Sequence, residues 1–149
     1  MNNMVRICVD AHIKGDVFGR FYTVYDWEPT IFKGTVELLL KMERFFDRLG
    51  FPMSSTRHRS FNGTITEKED MDVIAKDNLL VTRGDTASFV VRVCYRQNST
   101  WQGTLRWVDG GKEANFRSAL ELIRLIDSAS NINSVWVDAE TAATDLHYI

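Results

Sequence analysis

Arg92 and Arg96 stand four positions apart, and Asn98 follows two residues later. A guanidinium is always charged, grips phosphate through parallel N–H bonds and stacks on flat rings. These three residues therefore suit a small, nucleotide-like anion. On a strand, Arg92 and Arg96 would share an outward face with Cys94, which is equally the pattern of a solvated face. A second group suits contact with a protein. Trp101, Trp107, Arg92 and Arg106 are of the types that anchor interfaces. The two tryptophans alternate with Gly103 and Leu105, so a core position fits them as well.

Other chemistry is thinly represented. No phosphate loop or dinucleotide-binding glycine pattern occurs, and no zinc-ligand spacing. His12, His58 and His147 are isolated in the sequence. Asp10 and His12 lie close together near a strand end and read as a surface pair. No G-x-S-x-G elbow is present, although residue order alone does not exclude a catalytic triad. No catalytic residue and no cofactor is implied. Arg57, His58 and Arg59, with aromatic residues on a sheet, would be the means of holding a single nucleic-acid strand. A formal net charge of −2 argues against a nucleic-acid partner. Arg83-Gly84-Asp85 reads as a turn. Asn62-Gly63-Thr64 and Asn98-Ser99-Thr100 match a glycosylation pattern that is idle without secretion.

The chain of 149 residues is 44% hydrophobic and 26% charged, which fits one soluble domain over residues 1–149. There is no apolar run long enough for a membrane span and no signal-peptide layout at the start, so the expected location is cytoplasmic, with no membrane partner. Cys8 and Cys94 are the only cysteines. In a reducing compartment they read as structural thiols rather than a disulfide.

The elements that must position these residues follow from periodicity. Met4 to Asp10 alternates as a half-buried strand, with Val5, Ile7 and Val9 inward. A turn at Lys14-Gly15-Asp16 leads to a second strand over Val17 to Tyr25, antiparallel to the first. Trp27-Glu28-Pro29 breaks it. Gly34 to Leu49 reads as a helix with Val36, Leu39, Leu40, Met42, Phe46 and Leu49 as its apolar face, closed by Gly50 and Pro52. Ser54 to Asn62 suggests an edge strand, and Thr66 to Asp77 an acidic, solvated stretch. Leu79 to Thr82 and Ala87 to Arg96 flank the Arg83 turn, and the second run alternates with Phe89, Val91, Val93 and Tyr95 inward. A strand over Trp101 to Val108 ends at Asp109-Gly110-Gly111. Ser118 and Glu121 form a capping box for a helix lined by Leu120, Ile123 and Ile126, ending near Asn131. Ser134 to Asp138 suggests a last strand.

The two ends of the chain match each other. Val5-Arg6-Ile7-Cys8-Val9 aligns with Val91-Arg92-Val93-Cys94-Tyr95, which sets the cysteines at equivalent places. Gly19 to Phe32 and Gly103 to Phe116 both span 13 positions. The fold class expected is α+β: an antiparallel sheet with two helices on one face. It is built from a duplicated ββα, or ββαβ, unit with pseudo-two-fold symmetry. The halves cover about 4–50 and 88–130, joined by a variable segment 51–87. Phe18, Tyr22 and Trp27 are candidates for the outer sheet face, and an apolar outer face would imply a homodimer.

The run from Ser88 through Trp101-Gln-Gly-Thr-Leu-Arg-Trp107 to Phe116-Arg-Ser-Ala-Leu-Glu-Leu122 resembles a family of small proteins from clostridial-type bacteria. Their pattern is R-Q-N-x-[ST]-W-Q-G-T-x-x-W, then F-R-S-x-L-E-L. The resemblance spans residues 85–130, implies a bacterial, cytoplasmic protein, and brings no activity with it. Separately, R-x-x-x-R at Arg92–Arg96 and N-x-[ST]-x-x-G at Asn98–Gly103 resemble the two signatures of PilZ domains, which bind cyclic dinucleotides. Here the two motifs nearly touch, whereas in that family they are well apart. The expected function is a non-enzymatic module that binds a partner protein, or a second copy of itself, through a sheet face. The alternative is a sensor of a nucleotide-like anion.

Overall fold

The computed structural model describes residues 2–53, 61, 69–96 and 100–142. Six strands form one sheet: β1 (Val5–Ile13), β2 (Asp16–Tyr22), β3 (Thr30–Lys33), β4 (Ala87–Tyr95), β5 (Gln102–Trp107) and β6 (Lys112–Phe116). Helix α1 (Thr35–Leu49) follows β3, α2 (Asn78–Val81) precedes β4, and α3 (Ala119–Ala142) follows β6. The strand order is β3-β2-β1-β4-β5-β6, and every neighbouring pair is antiparallel. The α+β architecture and the β1–β2 hairpin are as the sequence suggests. Lys14 and Gly15 make its two-residue turn with φ of 53° and 76°, the left-handed pair whose twist suits a hairpin.

Strands β3 and β6 are not legible in the sequence. Each is an edge strand that buries one residue fully, Phe32 or Phe116, so neither shows a period of two. Of the run Leu79 to Thr82 before the turn, the first three residues lie in the short helix α2. The strand expected at 134–138 is the continuation of α3, because Asn131 to Asn133 holds neither glycine nor proline to stop a helix. Residues 54–60 and 62–68, with the suggested edge strand and part of the acidic stretch, lie outside the described residues.

Both long helices cover the same sheet face. Helix α1 buries Leu38, Met42, Phe45, Phe46 and Leu49, a spacing that keeps one stripe inward. Val36 and Leu40, expected in that stripe, are exposed. In α3 the apolar positions seen buried are Leu122, Ile126 and Ala129, and Leu120 is exposed. These stripes meet Val5, Ile7, Val9, Phe21, Phe89, Val91 and Val93. Strand β1 is buried on both faces rather than one, since Arg6 and Cys8 on its other side are also covered.

Two β-bulges set the direction of the side chains. The β1–β2 register shifts between Val9 and Ala11, and the β4–β5 register between Val93 and Tyr95. Asp10 and Cys94 are the extra residues. An extra residue flips everything after it to the other face. Tyr95, expected inward, is therefore exposed, while Arg96 turns to the helix side and is buried. Close to each bulge a glycine permits tight strand pairing. Gly19 lies opposite Val9, and Gly103 opposite Val93. A Cβ at Gly19 would collide with the Cys8 carbonyl, and one at Gly103 with the Arg92 carbonyl. The cysteines are consequently not at matching places. Cys8 comes one residue before the partner of its glycine, and Cys94 one residue after.

Helix α1 has no cap of its own, because Gly34 carries no side chain. Asp16 on the hairpin supplies one, accepting from the Thr35 amide at 2.8 Å and the Thr35 hydroxyl at 2.7 Å. The Thr35 hydroxyl foremost, with the Thr35 and Val17 amides, holds the Asp16 carboxyl below its ordinary value. An unfolded chain takes up that proton first, so this stabilisation is complete above the ordinary aspartate range and is lost as pH falls through the folded value. Asp16→Ala should cost about 1 kcal/mol in urea unfolding at neutral pH. It should also flatten the acid side of the stability profile.

Candidate functional site

The sheet face away from the long helices carries a row of aligned side chains. Tyr22, Arg6, Val90, Arg106 and Glu113 sit opposite one another across β2, β1, β4, β5 and β6. In the next row Arg92 faces Thr104, and Thr104 faces Asn115. Arg92 and Arg106 are diagonal neighbours on this surface. A cavity of about 470 Å³ lies over these rows, walled by Leu79 and Leu80 of α2. Four arginines line it, Arg6, Arg83, Arg92 and Arg106, against one acid, Glu113.

The charges differ in how they are met. Arg6 is only 5% exposed. Its Nε donates to the Thr82 carbonyl at 2.6 Å and its Nη1 to the Leu79 carbonyl at 3.1 Å, closing the end of α2. No carboxylate among the described residues pairs with it. A buried cation served only by carbonyl dipoles is poorly compensated. Arg92 and Arg106 are exposed, and neither makes a hydrogen bond or ion pair among the described residues. Arg83 has a distant partner, Asp109 at 3.6 Å. Arg20, nearby, is already satisfied by Asp10 at 2.6 Å, the Tyr22 hydroxyl and the Arg83 carbonyl. The Asp10 hydrogen bond foremost raises its pKa. Burial pushes the Cys8 thiol up, against the pull of Arg20 and Arg6, which keeps it protonated and unreactive.

The candidates read from the sequence part company here. Arg92 and Arg106 share the groove. Arg96 lies on the opposite face, 4% exposed, with Nη1 at 3.0 Å from Glu43 and 2.8 Å from Asp47 of α1 and Nε donating to the Pro52 carbonyl. The Cys94 bulge is the reason: strict alternation holds only up to Val93. The two arginines of R-x-x-x-R thus look in opposite directions, which removes the geometry that the PilZ likeness implies. Asn98 lies outside the described residues. Trp101 is core: its ring meets Phe46 edge-on and its Nε1 donates to Glu43 at 2.7 Å. Trp107 is half-buried on the helix side, packed against Gly110, with no partner for its Nε1. Neither tryptophan is on the outer face.

Asp10 and His12 also separate at their bulge. Asp10 takes Arg20 and the Asp85 amide, while His12 turns to the helices and meets Asp127 at 2.6 Å. Among the described residues no group of histidines, cysteines and acids could hold a metal ion. Arg6 and Arg83 were not singled out by sequence. Arg6 alternates outward in β1, but nothing local says that α2 will cover it.

A second cavity, of about 420 Å³, adjoins the first. Asn2, Phe51, Cys94 and Tyr95 line it, and Arg92 lines both. No family model, curated protein or solved structure matches this chain. No described helix is long and apolar enough to cross a membrane.

Arg96 is thus a structural cation. Arg96→Ala would leave Glu43 and Asp47 facing each other over a cavity. The expected loss is about 3 kcal/mol in denaturant unfolding, as for removal of one partner of a buried ion pair.

Proposed function

We propose that this protein is a binding module that receives an anionic, phosphate-bearing partner on the outer face of its sheet. The observation that carries the reading is Arg6, a buried guanidinium that lines an open groove with no carboxylate among the described residues to balance it. Arg92 and Arg106, exposed and without a partner among the described residues, supply the direct contacts. They replace the Arg92, Arg96 and Asn98 set suggested by spacing. Two charge-assisted contacts from guanidinium groups favour phosphate over a less charged ligand. The bacterial, cytoplasmic setting implied by the W-Q-G-T and F-R-S motifs belongs to this proposal.

Assembly of two copies through the same face is not favoured. A two-fold axis would press this patch against itself and set arginine against arginine. Four arginines line the groove among its apolar side chains, which weighs against a purely apolar homodimer face there. A partner protein remains compatible if it presents phosphate or clustered acids.

We also infer that the two halves are copies of a βββα unit. What supports this is a constant offset, in which Val9, Gly19 and Phe32 are joined across three strands just as Val93, Gly103 and Phe116 are. The bulges fall at the same place in β1 and β4. His12 and Arg96 follow their bulges equally, and each meets an acid at the same point along the other half's helix, Asp127 or Glu43.

Calorimetric titration with inorganic pyrophosphate tests the binding site. One site is expected, weakening as salt is raised. Arg92→Ala and Arg106→Ala should each weaken it roughly tenfold, the worth of one charge-assisted contact. Absence of binding, or binding indifferent to both substitutions, would remove the proposal.

A further inference from the structure

We infer that the partner is a nucleoside di- or triphosphate, its phosphates on Arg92 and Arg106 and its base against Tyr95 and Phe51. The inference rests on the anion site proposed above and adds the rest of the ligand. Arg92 lines both cavities, so they meet at its side chain on the outer side of β4. One end holds the arginines. The other holds two exposed aromatic side chains, Tyr95 at 56% and Phe51 at 40% exposure.

Tyr95 is on this face only because of the Cys94 bulge. Without the extra residue it would point into the core and Arg96 would take the groove. A bulge that brings an aromatic ring to the outer face leaves apolar surface in water with no packing return inside the chain. Stacking of a base on the ring would recover it. Hydrogen-bonding capacity is also present at that end. The Asn2 carbonyl oxygen is used by the Met4 amide, while its amide nitrogen has no partner among the described residues. That nitrogen can donate to a base edge. The two cavities, about 470 Å³ and 420 Å³, each fall within the range of small-molecule sites.

A single strand of nucleic acid offers the same chemistry repeated. Among the described residues the two cavities are lined by one aromatic cluster, Tyr95 and Phe51, rather than a track, and this and a net charge of −2 favour the mononucleotide.

The test is calorimetric titration of the full chain with ATP, GTP, CTP and UTP in turn, with pyrophosphate and a short deoxythymidine oligomer alongside. At least one nucleotide should bind about tenfold more tightly than pyrophosphate, the worth of one stacked base. Tyr95→Ala should bring that nucleotide down to the pyrophosphate level and leave pyrophosphate unchanged, while Tyr95→Phe keeps the advantage. Tyr95 is exposed, and unchanged circular dichroism would exclude misfolding. If every nucleotide binds only as well as pyrophosphate, or Tyr95→Ala changes nothing, the nucleotide inference fails and the anion site stands. If neither nucleotides nor pyrophosphate bind, both fail. Tighter binding of the oligomer than of any nucleotide would overturn the inference in favour of single strands.

Discussion

One extra residue in each central strand determines which way the functional side chains face. A strand alternates, so an insertion at Asp10 or Cys94 reverses every position that follows it. The reversal at Cys94 sends Arg96 into the helix layer and Tyr95 out of it. The reversal at Asp10 does the same for His12. Gly19 and Gly103 let the neighbouring strand approach closely beside each bulge. The core, the ion pairs beneath the helices and the outer groove all inherit their composition from these two points.

The two faces of the sheet treat charge differently. On the helix side the side chain that follows each bulge meets an acid: Arg96 meets Glu43 and Asp47, and His12 meets Asp127. Trp101 Nε1 closes the first of these clusters through Glu43. Such pairing costs desolvation, but it leaves no isolated charge in the core. On the outer side Arg20 is matched, whereas among the described residues Arg6 has only carbonyls, and Arg92 and Arg106 have no partner. A fold that pairs Arg96 beneath the helices and leaves Arg92 and Arg106 open on the outer face has an asymmetry that packing alone does not require. That asymmetry supports the proposal of a binding surface on the outer face.

The sequence shows its structure where burial is one-sided and long. The β1–β2 hairpin, the inward residues of β4 up to Val93 and the positions of the two long helices follow from periodicity. Edge strands burying a single phenylalanine do not announce themselves. The stripe of α1 is misjudged because Leu38, Leu39 and Leu40 are consecutive, and composition cannot say which of them turns inward. For the site, Arg92 and Arg106 are legible as outward arginines. Arg96 is not, because a bulge leaves no residue-type signature at Cys94. Arg6 is missed because its burial depends on α2, far along the chain.

The pairs His12–Asp127 and Arg96–Glu43 run crosswise: the side chain that follows the bulge of each half finds its acid on the helix of the other. A fragment ending after α1 would keep Glu43 and Asp47 but lose Arg96, and it would keep His12 but lose Asp127. The exposed edge of β1 would lack β4 at the same time. Neither fragment can satisfy its own charges or complete its own sheet, so the natural way to stabilise one is to supply the other. On the reading that the halves are copies, a single unit would have met the same demand by exchanging ion pairs with an identical chain. The present polypeptide then tethers an obligate pair, and the tether leaves each half free to change by itself. The aromatic ring at Tyr95, where the first half has Ala11, is one such divergence.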